Sequence, residues 1–98
     1  METFQQLVAS PIPVMVDFYA DWCGPCQSMT PLIQELASQF KGKVRIVKIN
    51  IDKNQSAARE YGVEAVPTFI IFKNGKLVWR HSGGMDKATL EKHLLSFT

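Results

Sequence analysis

The two cysteines of this 98-residue chain, Cys23 and Cys26, are separated only by Gly24 and Pro25. Residues at this spacing lie about one helical turn apart, so both thiols can close a small disulfide ring on one face of a helix. Such a short ring constrains little of the unfolded chain and therefore stabilises a fold poorly. The pair is better suited to opening and closing, and it predicts a redox-active dithiol.

The neighbouring residues predict different roles for the two cysteines. Apolar residues from Met29 to Phe40 recur with a helical period, so a helix is predicted to start at the motif with Pro25 in its first turn. We expect Cys23 to be exposed at the helix N-terminus, where unpaired N–H groups favour the thiolate that attacks a target disulfide. Cys26, one turn deeper and buried, is expected to resolve the resulting mixed disulfide.

Asp17 is the one charge in a nearly continuous apolar run, residues 14–19, which is typical of a buried strand. A buried carboxyl without a partner has a raised pKa and can act as a base near neutral pH. Asp17 is therefore a candidate for deprotonating Cys26, and Lys48 on the next strand is a candidate for tuning it. The alternatives are a structural hydrogen bond or a partly solvated strand end for Asp17, and a solvated charge for Lys48.

Three other side chains, those of Trp22, His81 and His93, are candidates for substrate contact or metal binding. Trp22 beside the motif is either plain packing or an apolar rim that faces a substrate. A structural zinc site needs about four ligands, and beside the cysteines the chain offers only His81 and His93. These two lie in separate predicted elements and lack the spacing of zinc-binding histidines, so we expect no metal. Both are expected to be surface or satisfied side chains.

The elements that position these residues are predicted in the order α-β-α-β-α-β-β-α. Helical and strand-like apolar periods define them, and Asn74-Gly75 between two strand-like runs is typical of a type I′ hairpin. The predicted helices cover 3–9, the motif to Phe40, 55–61 and the segment after Asp86; the predicted strands cover 14–19, 44–51, 68–73 and 76–81.

Local signals predict how several helices begin, end or bend. Asn54 and Asp86 are expected to cap the third and fourth helices, and Gly42 to end the second. Pro31 lies inside the second helix and cannot donate to the Gln27 carbonyl, which predicts a kink.

The connections predict an α/β fold with a mixed central sheet and helices on both faces. Two strand–helix–strand crossovers predict parallel pairs, and the hairpin predicts one antiparallel edge strand. A chain of 98 residues corresponds to a single domain, 1–98.

Composition narrows the classes of partner. The net charge of +2 comes from interspersed charges, so neither nucleic acid nor a membrane surface is expected as a partner. The apolar stretches are far shorter than the roughly 20 residues that span a bilayer. The segment after Met1 has neither a basic nor an apolar leader region, and a lone cysteine pair suits a reducing compartment, so a cytoplasmic location is expected.

The pentapeptide Trp22-Cys23-Gly24-Pro25-Cys26, together with residues 17–20 before it and Val66-Pro67-Thr68 after it, closely resembles the thioredoxin family. The similarity continues to Gly83 and covers nearly the whole chain. It implies the thioredoxin fold and a general protein-disulfide reductase that maintains cellular redox homeostasis.

The resemblance also implies residue roles around the dithiol. Cys23 corresponds to the family's nucleophile and Cys26 to its resolving cysteine, and the two form a redox-active disulfide. Gly24 and Pro25 correspond to the residues that contribute to redox poise. The family's buried aspartate and its neighbouring lysine correspond to the two catalytic candidates found above, Asp17 and Lys48.

A substrate groove is implied by the same resemblance. Pro67 corresponds to the family's cis-proline, and the backbone of Val66 is expected to pair with an extended target peptide. The rest of the groove is expected to be lined by Trp22, Gly24, Pro25, Gly83 and Gly84.

The expected partners follow from what the chain lacks. It contains no GxGxxG nucleotide site, so electrons must come from a separate protein. The family implies an NADPH-dependent flavoprotein, thioredoxin reductase, and disulfide-containing protein substrates. No bound cofactor is expected, and the chain is expected to be a monomer.

Three departures from the family pattern carry further expectations. The family usually begins with an extra strand, and its absence predicts a four-stranded sheet in which strand 44–50 becomes an edge strand. Tyr19 stands where many members have tryptophan, which is expected to alter packing or fluorescence but not chemistry. Gln27-Ser28 follows the motif where a lysine is frequent, which removes one positive charge near the dithiol.

Three alternatives remain open from sequence. An oxidase or isomerase of the same fold is opposed by the Gly-Pro dipeptide and by the lack of a signal. A binding subunit with an incidental dithiol and a metal-binding module are the other two.

Overall fold

A computed structural model of the chain describes residues 3–98. Met1 and Glu2, which belong to the N-terminal segment expected to carry no leader sequence, lie outside the described residues. The elements occur in the predicted order. The helices are α1 (Phe4–Val8), α2 (Gly24–Gln39), α3 (Gln55–Glu60) and α4 (Lys87–Ser96), and the strands are β1 (Val14–Tyr19), β2 (Arg45–Asn50), β3 (Thr68–Lys73) and β4 (Lys76–Ser82).

The strands form one four-stranded mixed sheet in the order β2-β1-β3-β4. Strand β1 is parallel to β2 and antiparallel to β3, and β3 is antiparallel to β4. Within the described residues β2 is therefore an edge strand, which confirms the predicted four-stranded sheet. No helix in the described part of the chain is long and apolar enough to cross a membrane.

The second predicted crossover is wrong, because β3 does not run parallel to β2. Helix α3 has six residues and rises only about 9 Å, whereas a six-residue strand spans about 20 Å. The connection therefore stays at the end of the sheet where β2 finishes, and Thr68 opens β3 opposite Phe18. This antiparallel return brings Pro67 to the same end of the sheet as the cysteine motif.

The hairpin and the last helix follow their sequence signals. Asn74 and Gly75 have φ values of 53° and 81°, and positive φ at both central residues is what a type I′ turn requires. The Asp86 side chain accepts a hydrogen bond from the Thr89 amide, which confirms the predicted cap of α4.

Of two other terminus predictions, one is confirmed in part and one is wrong. Asn54 is the N-cap residue of α3, but its side chain makes no capping hydrogen bond; its Nδ2 instead donates to the Asn50 carbonyl at 3.0 Å. Helix α2 ends before Gly42, with Phe40 as its C-cap, and Gly42 adopts a φ of 86° in the turn that follows. Pro31 lies inside α2 as expected, and the kink there stays a prediction.

The core is divided by the sheet into two layers. One layer packs Met15 of β1 against residues of α2 and α4. The other layer packs Val14, Val16 and Phe18 of β1 against residues of α1 and α3. Because side chains alternate along a strand, Asp17 lies on the same face of β1 as Met15 and points toward the α2 layer.

Candidate active site

The cysteine motif joins β1 to α2, and the helix terminus positions it. Cys23 is the N-cap of α2 and Cys26 lies in its first turn, with Pro25 among the first helical residues as predicted. The two cysteines form a disulfide with their Cα atoms 5.3 Å apart. The Cys26 amide donates a hydrogen bond to Cys23 Sγ at 3.1 Å. Cys23 Sγ is thus the capping acceptor at the N-terminus of α2, and the partial positive charge of that helix end favours a negative group there.

The predicted difference in exposure between the cysteines is wrong for this disulfide form. Cys23 is 4% exposed and Cys26 is 7% exposed. Both pack in one cluster with Ala20, and Tyr19 and Val66 pack against that cluster. In this disulfide form solvent access therefore does not distinguish the two. The two cysteines are distinguished instead by the hydrogen bond that the Cys26 amide donates to Cys23 Sγ.

Asp17 is buried and lacks a partner. It is 4% exposed, and its Oδ1 accepts no hydrogen bond from any described residue. A structural hydrogen bond therefore does not explain this oxygen. Burial raises the pKa of Asp17 from 3.8 to about 6, and the positive charge of Lys48 partly opposes that rise. A carboxyl in this state exchanges protons close to neutral pH.

Lys48 lies beside Asp17 on the neighbouring strand. The two are register partners in the parallel β1–β2 pair, so their side chains share a face of the sheet. The Lys48 ammonium lies over the Tyr19 ring, 4.4 Å from its centroid. Lys48 is exposed whereas Asp17 is buried, so the pair is not a closed ion pair.

A cavity of about 130 Å³ connects this face of the sheet to the resolving position. Its lining includes Cys26 but not Cys23, which is the second feature that separates the cysteines. Gln27, one of the departures from the family pattern, borders it and donates from Nε2 to the Asp21 carbonyl at 2.6 Å. The complete lining is Tyr19, Ala20, Asp21, Cys26, Gln27, Thr30 and Lys48.

The loop before β3 approaches the dithiol from the other side. The Val66–Pro67 peptide bond is cis, as the resemblance implied. Val66 packs against the cysteine cluster, and among the described residues no hydrogen bond uses its amide or carbonyl. The adjacent Pro67 carbonyl accepts from the Gly83 amide at 2.8 Å. The structure thus brings Val66, Pro67 and Gly83 together beside the motif.

The glycines near the motif leave open space. A Cβ on Gly24 or Gly83 would meet no atom within 4 Å, and one on Gly84 would meet only Met29 Sδ at 3.8 Å. Gly83 adopts a φ of 101°, which disfavours other residues. The backbone here is accessible to an approaching chain.

Trp22 has a partner that the sequence argument missed. Its ring is 69% exposed, and its Nε1 donates to Asp52 Oδ2 at 2.9 Å. An exposed ring held by a hydrogen bond suits the predicted apolar rim better than plain packing. Asp52 lies thirty residues away in sequence, so no spacing signal connects it to the motif.

The two histidines lie away from the dithiol. His81 and His93 both stack on Trp79, with ring centroids 6.0 and 4.6 Å from it. Neither belongs to the cysteine cluster or to the cavity lining.

Comparisons with known proteins agree with this geometry. The family model described as Thioredoxin matches residues 1–96. The chain belongs to the thioredoxin family. A curated thioredoxin 1 from Nostoc sp. is 45% identical over 94 residues, which cover 92% of this chain and 88% of the relative. A thioredoxin from Haemophilus influenzae is 45% identical over 84 residues, 86% of this chain and 78% of the relative.

A solved structure gives the same answer for the fold. A mutant thioredoxin from Halobacterium salinarum superposes with a TM-score of 0.88 at 36% identity, over 100% of this chain and 88% of that one. The chain therefore has the thioredoxin fold. Thioredoxins are protein-disulfide oxidoreductases that act on disulfide substrates and are reduced by thioredoxin reductase, and Cys23 and Cys26 form the redox-active pair of this member.

Proposed function

We propose that Cys23 is the nucleophile and Cys26 the resolving cysteine of a general protein-disulfide reductase. The observation that carries the assignment is the Cys26 amide aimed at Cys23 Sγ at 3.1 Å from the helix N-terminus. In the reduced protein this donor and the helix end favour a Cys23 thiolate. Gly24 and Pro25 contribute to the redox poise, because Pro25 has no amide hydrogen and leaves the Cys26 amide as the donor to Cys23.

The reaction transfers two electrons from the dithiol to the substrate. The Cys23 thiolate attacks one sulfur of a substrate disulfide, and the other substrate sulfur leaves as a thiolate. The Cys26 thiolate then attacks Cys23 Sγ. The Cys23–substrate bond breaks, the second substrate thiolate leaves, and the Cys23–Cys26 disulfide remains.

Asp17 acts as the base that takes the Cys26 proton. The support is its burial, its unpartnered Oδ1 and a pKa raised to about 6. A base whose pKa lies near the working pH is ionised often enough to accept a proton and basic enough to hold it. Lys48 keeps part of the Asp17 population ionised.

An extended target peptide is the substrate that the surface suits best. The unpaired amide and carbonyl of Val66 can pair with a peptide backbone without regard to its side chains. Pro67 supports Val66, while Gly83 and Gly84 leave room for the peptide. The exposed Trp22 ring supplies apolar contact.

We assign the whole chain, residues 1–98, to one thioredoxin domain that works as a cytoplasmic monomer. Its electrons come from an NADPH-dependent flavoprotein reductase, because the sequence carries no nucleotide-binding motif. An insulin-disulfide reduction assay with and without thioredoxin reductase tests this supply; reduction that is independent of the reductase would contradict it.

Trapping of mixed disulfides tests the cysteine roles. Cys26→Ser should accumulate a covalent complex with a disulfide-containing protein such as insulin, because nothing resolves the Cys23–substrate bond. Cys23→Ser is the matched control and should trap none. Non-reducing gel electrophoresis followed by mass spectrometry measures both. The reverse pattern would sink the assignment, and full activity of Cys23→Ser in cells would favour a binding subunit.

A further inference from the structure

Lys48, the cation that opposes the raised pKa of the buried Asp17 carboxyl, lies over the Tyr19 ring. The Lys48 ammonium is 4.4 Å from the Tyr19 ring centroid, within the roughly 6 Å at which an aromatic face attracts a cation. The lysine stem is long and exposed, and such a side chain samples many rotamers unless something holds its charge. The ring contact therefore favours the Lys48 rotamers that keep the ammonium beside Tyr19.

That place lies at the cavity beside Cys26. Tyr19 and Lys48 both line the cavity of about 130 Å³ that Cys26 also borders. Lys48 is the register partner of Asp17, and Tyr19 lies two residues along the same face of β1. Tyr19, Lys48 and the resolving cysteine thus line one space, and Asp17 lies on the same face of β1 as Tyr19.

Among the described residues on the cavity wall and in register with Asp17, Lys48 is the one cation. To the cavity wall, α2 contributes Cys26 with uncharged Gln27 and Thr30, and the loop after β1 contributes the acidic Asp21. From β3 the register partner of Asp17 is Phe69, which does not titrate, and His81 of β4 lies beyond that phenylalanine.

We propose that Tyr19 is a positioning residue for the resolving step: its ring holds the Lys48 ammonium at the cavity, where the charge favours the ionised Asp17 that receives the Cys26 proton. The inference rests on the proposed role of Asp17. It also revises the expectation that tyrosine at this position has no chemical consequence.

Loss of the ring has a definite direction of effect. Without it the ammonium moves out to solvent, since following Asp17 into the buried layer would strip the cation of water at a large cost. Solvent screening then weakens its field at Asp17. Ionisation of Asp17 becomes harder, so resolution requires a higher pH.

A two-phase kinetic assay measures this shift. The reduced protein is mixed with one equivalent of an aromatic disulfide that releases a coloured thiolate. The first release depends on reagent concentration and reports attack by Cys23; the second is first order and reports resolution by Cys26. In Tyr19→Leu the pH midpoint of the second phase should rise by about half a unit, the shift expected for a contact of this strength.

Matched variants isolate the ring from other effects of the substitution. Tyr19→Phe keeps the aromatic face and should retain the wild-type midpoint. Lys48→Met should show the same shift as Tyr19→Leu, and the double variant should show no additional shift. A wild-type midpoint in Tyr19→Leu, or a full further shift in the double variant, would overturn the proposal.

Asp17→Asn in the same assay distinguishes the role of Asp17 as base from the role of Tyr19 in positioning Lys48. If Asp17→Asn leaves the second phase unchanged, the proposed base is wrong and the role of Tyr19 falls with it. If Asp17→Asn slows the second phase but Tyr19→Leu does not shift it, only the role of Tyr19 is overturned.

A spectroscopic measurement on the unmodified protein removes the dependence on how the variants fold. The ε-methylene protons of Lys48 should show an upfield ring-current shift in the NMR spectrum, because the end of the side chain lies over the Tyr19 ring. Tyr19→Phe should preserve the shift. Ordinary chemical shifts for these protons in the wild-type protein would contradict the proposal.

Discussion

Strand β1 presents two faces to the molecule, and they differ in what they bury. Toward α1 and α3 it places Val14, Val16 and Phe18, all fully buried in apolar surroundings. Toward α2 it places Met15, an unpartnered Asp17 and the half-buried Tyr19. The first face buries only apolar side chains, whereas the second also buries a carboxyl whose Oδ1 has no hydrogen-bond partner.

The two faces of β1 separate the residues that stabilise this fold from those proposed to do its chemistry. An unpaired buried carboxyl costs free energy, and a surrounding core with fully buried side chains is what tolerates that cost. The carboxyl lies on the face that also carries the cavity and Cys26. Substitutions on the two faces should therefore have different effects on stability and on activity.

The largest stability effect is expected on the apolar face. Phe18→Ala should lower the free energy of unfolding by about 3–5 kcal/mol, because it removes a fully buried ring and leaves a cavity. Urea unfolding of the disulfide form measures this loss. Leu95→Ala, at a side chain that is 54% exposed, should change stability by less than about 0.5 kcal/mol. Equal losses in both variants would remove the distinction.

A gain in stability is expected on the other face. In the wild-type protein the pKa of Asp17 is about 6 when folded, against an ordinary value of 3.8. Between these values the folded state binds more protons than the unfolded state, so stability falls as pH rises through the window and is level above it. Asp17→Asn should therefore stabilise the protein by about 3 kcal/mol at pH 7.

The pH dependence of that gain distinguishes it from a packing effect. The difference between Asp17→Asn and wild type should shrink as pH falls from about 6 to about 4, where the wild-type carboxyl is protonated too. Urea unfolding across this range measures it. Glu64→Gln, at an exposed carboxyl, serves as the control and should show no comparable gain. A gain that does not vary with pH would contradict the linkage.

The smallest effect is expected from the charge at the edge of the site. Lys48→Met should raise the pKa of Asp17 further, because the lysine is the group that opposes the effect of burial. The exposed ammonium is screened, so the rise should be about half a unit and should diminish at high salt. NMR titration of the Asp17 carboxyl measures it, with Lys43→Met as a control of equal charge outside the site. An unchanged titration would exclude Lys48 from the site.

Sequence patterns predicted most of the fold because local and long-range signals agree. The apolar run around Asp17, the Asn74-Gly75 turn and the Asp86 cap each act within a few residues, and the structure confirms all three. The direction of β3 was predicted wrongly because it depends on how far a six-residue helix can carry the chain. Periodicity does not encode that geometric limit.

The site was predictable from the sequence to a similar extent, and the errors in its prediction have a similar cause. Cys23, Cys26 and Asp17 are recognisable from residue type and position. The burial of Cys23 involves packing by Val66 from a distant loop. The contacts of Trp22 with Asp52 and of Tyr19 with Lys48 join residues thirty and twenty-nine positions apart, and only the folded sheet brings them together.

The rate of the resolving phase as a function of pH, in wild type and in Asp17→Asn, shows whether the buried carboxyl takes the Cys26 proton. Reduced protein and one equivalent of the aromatic disulfide supply the signal, and the first phase serves as an internal control for the Cys23 thiolate. If Asp17 is the base, Asp17→Asn should slow the second phase by roughly a hundredfold or more near pH 7 while leaving the first phase largely unchanged. Identical second phases in the two proteins would show that the buried carboxyl takes no part in the chemistry.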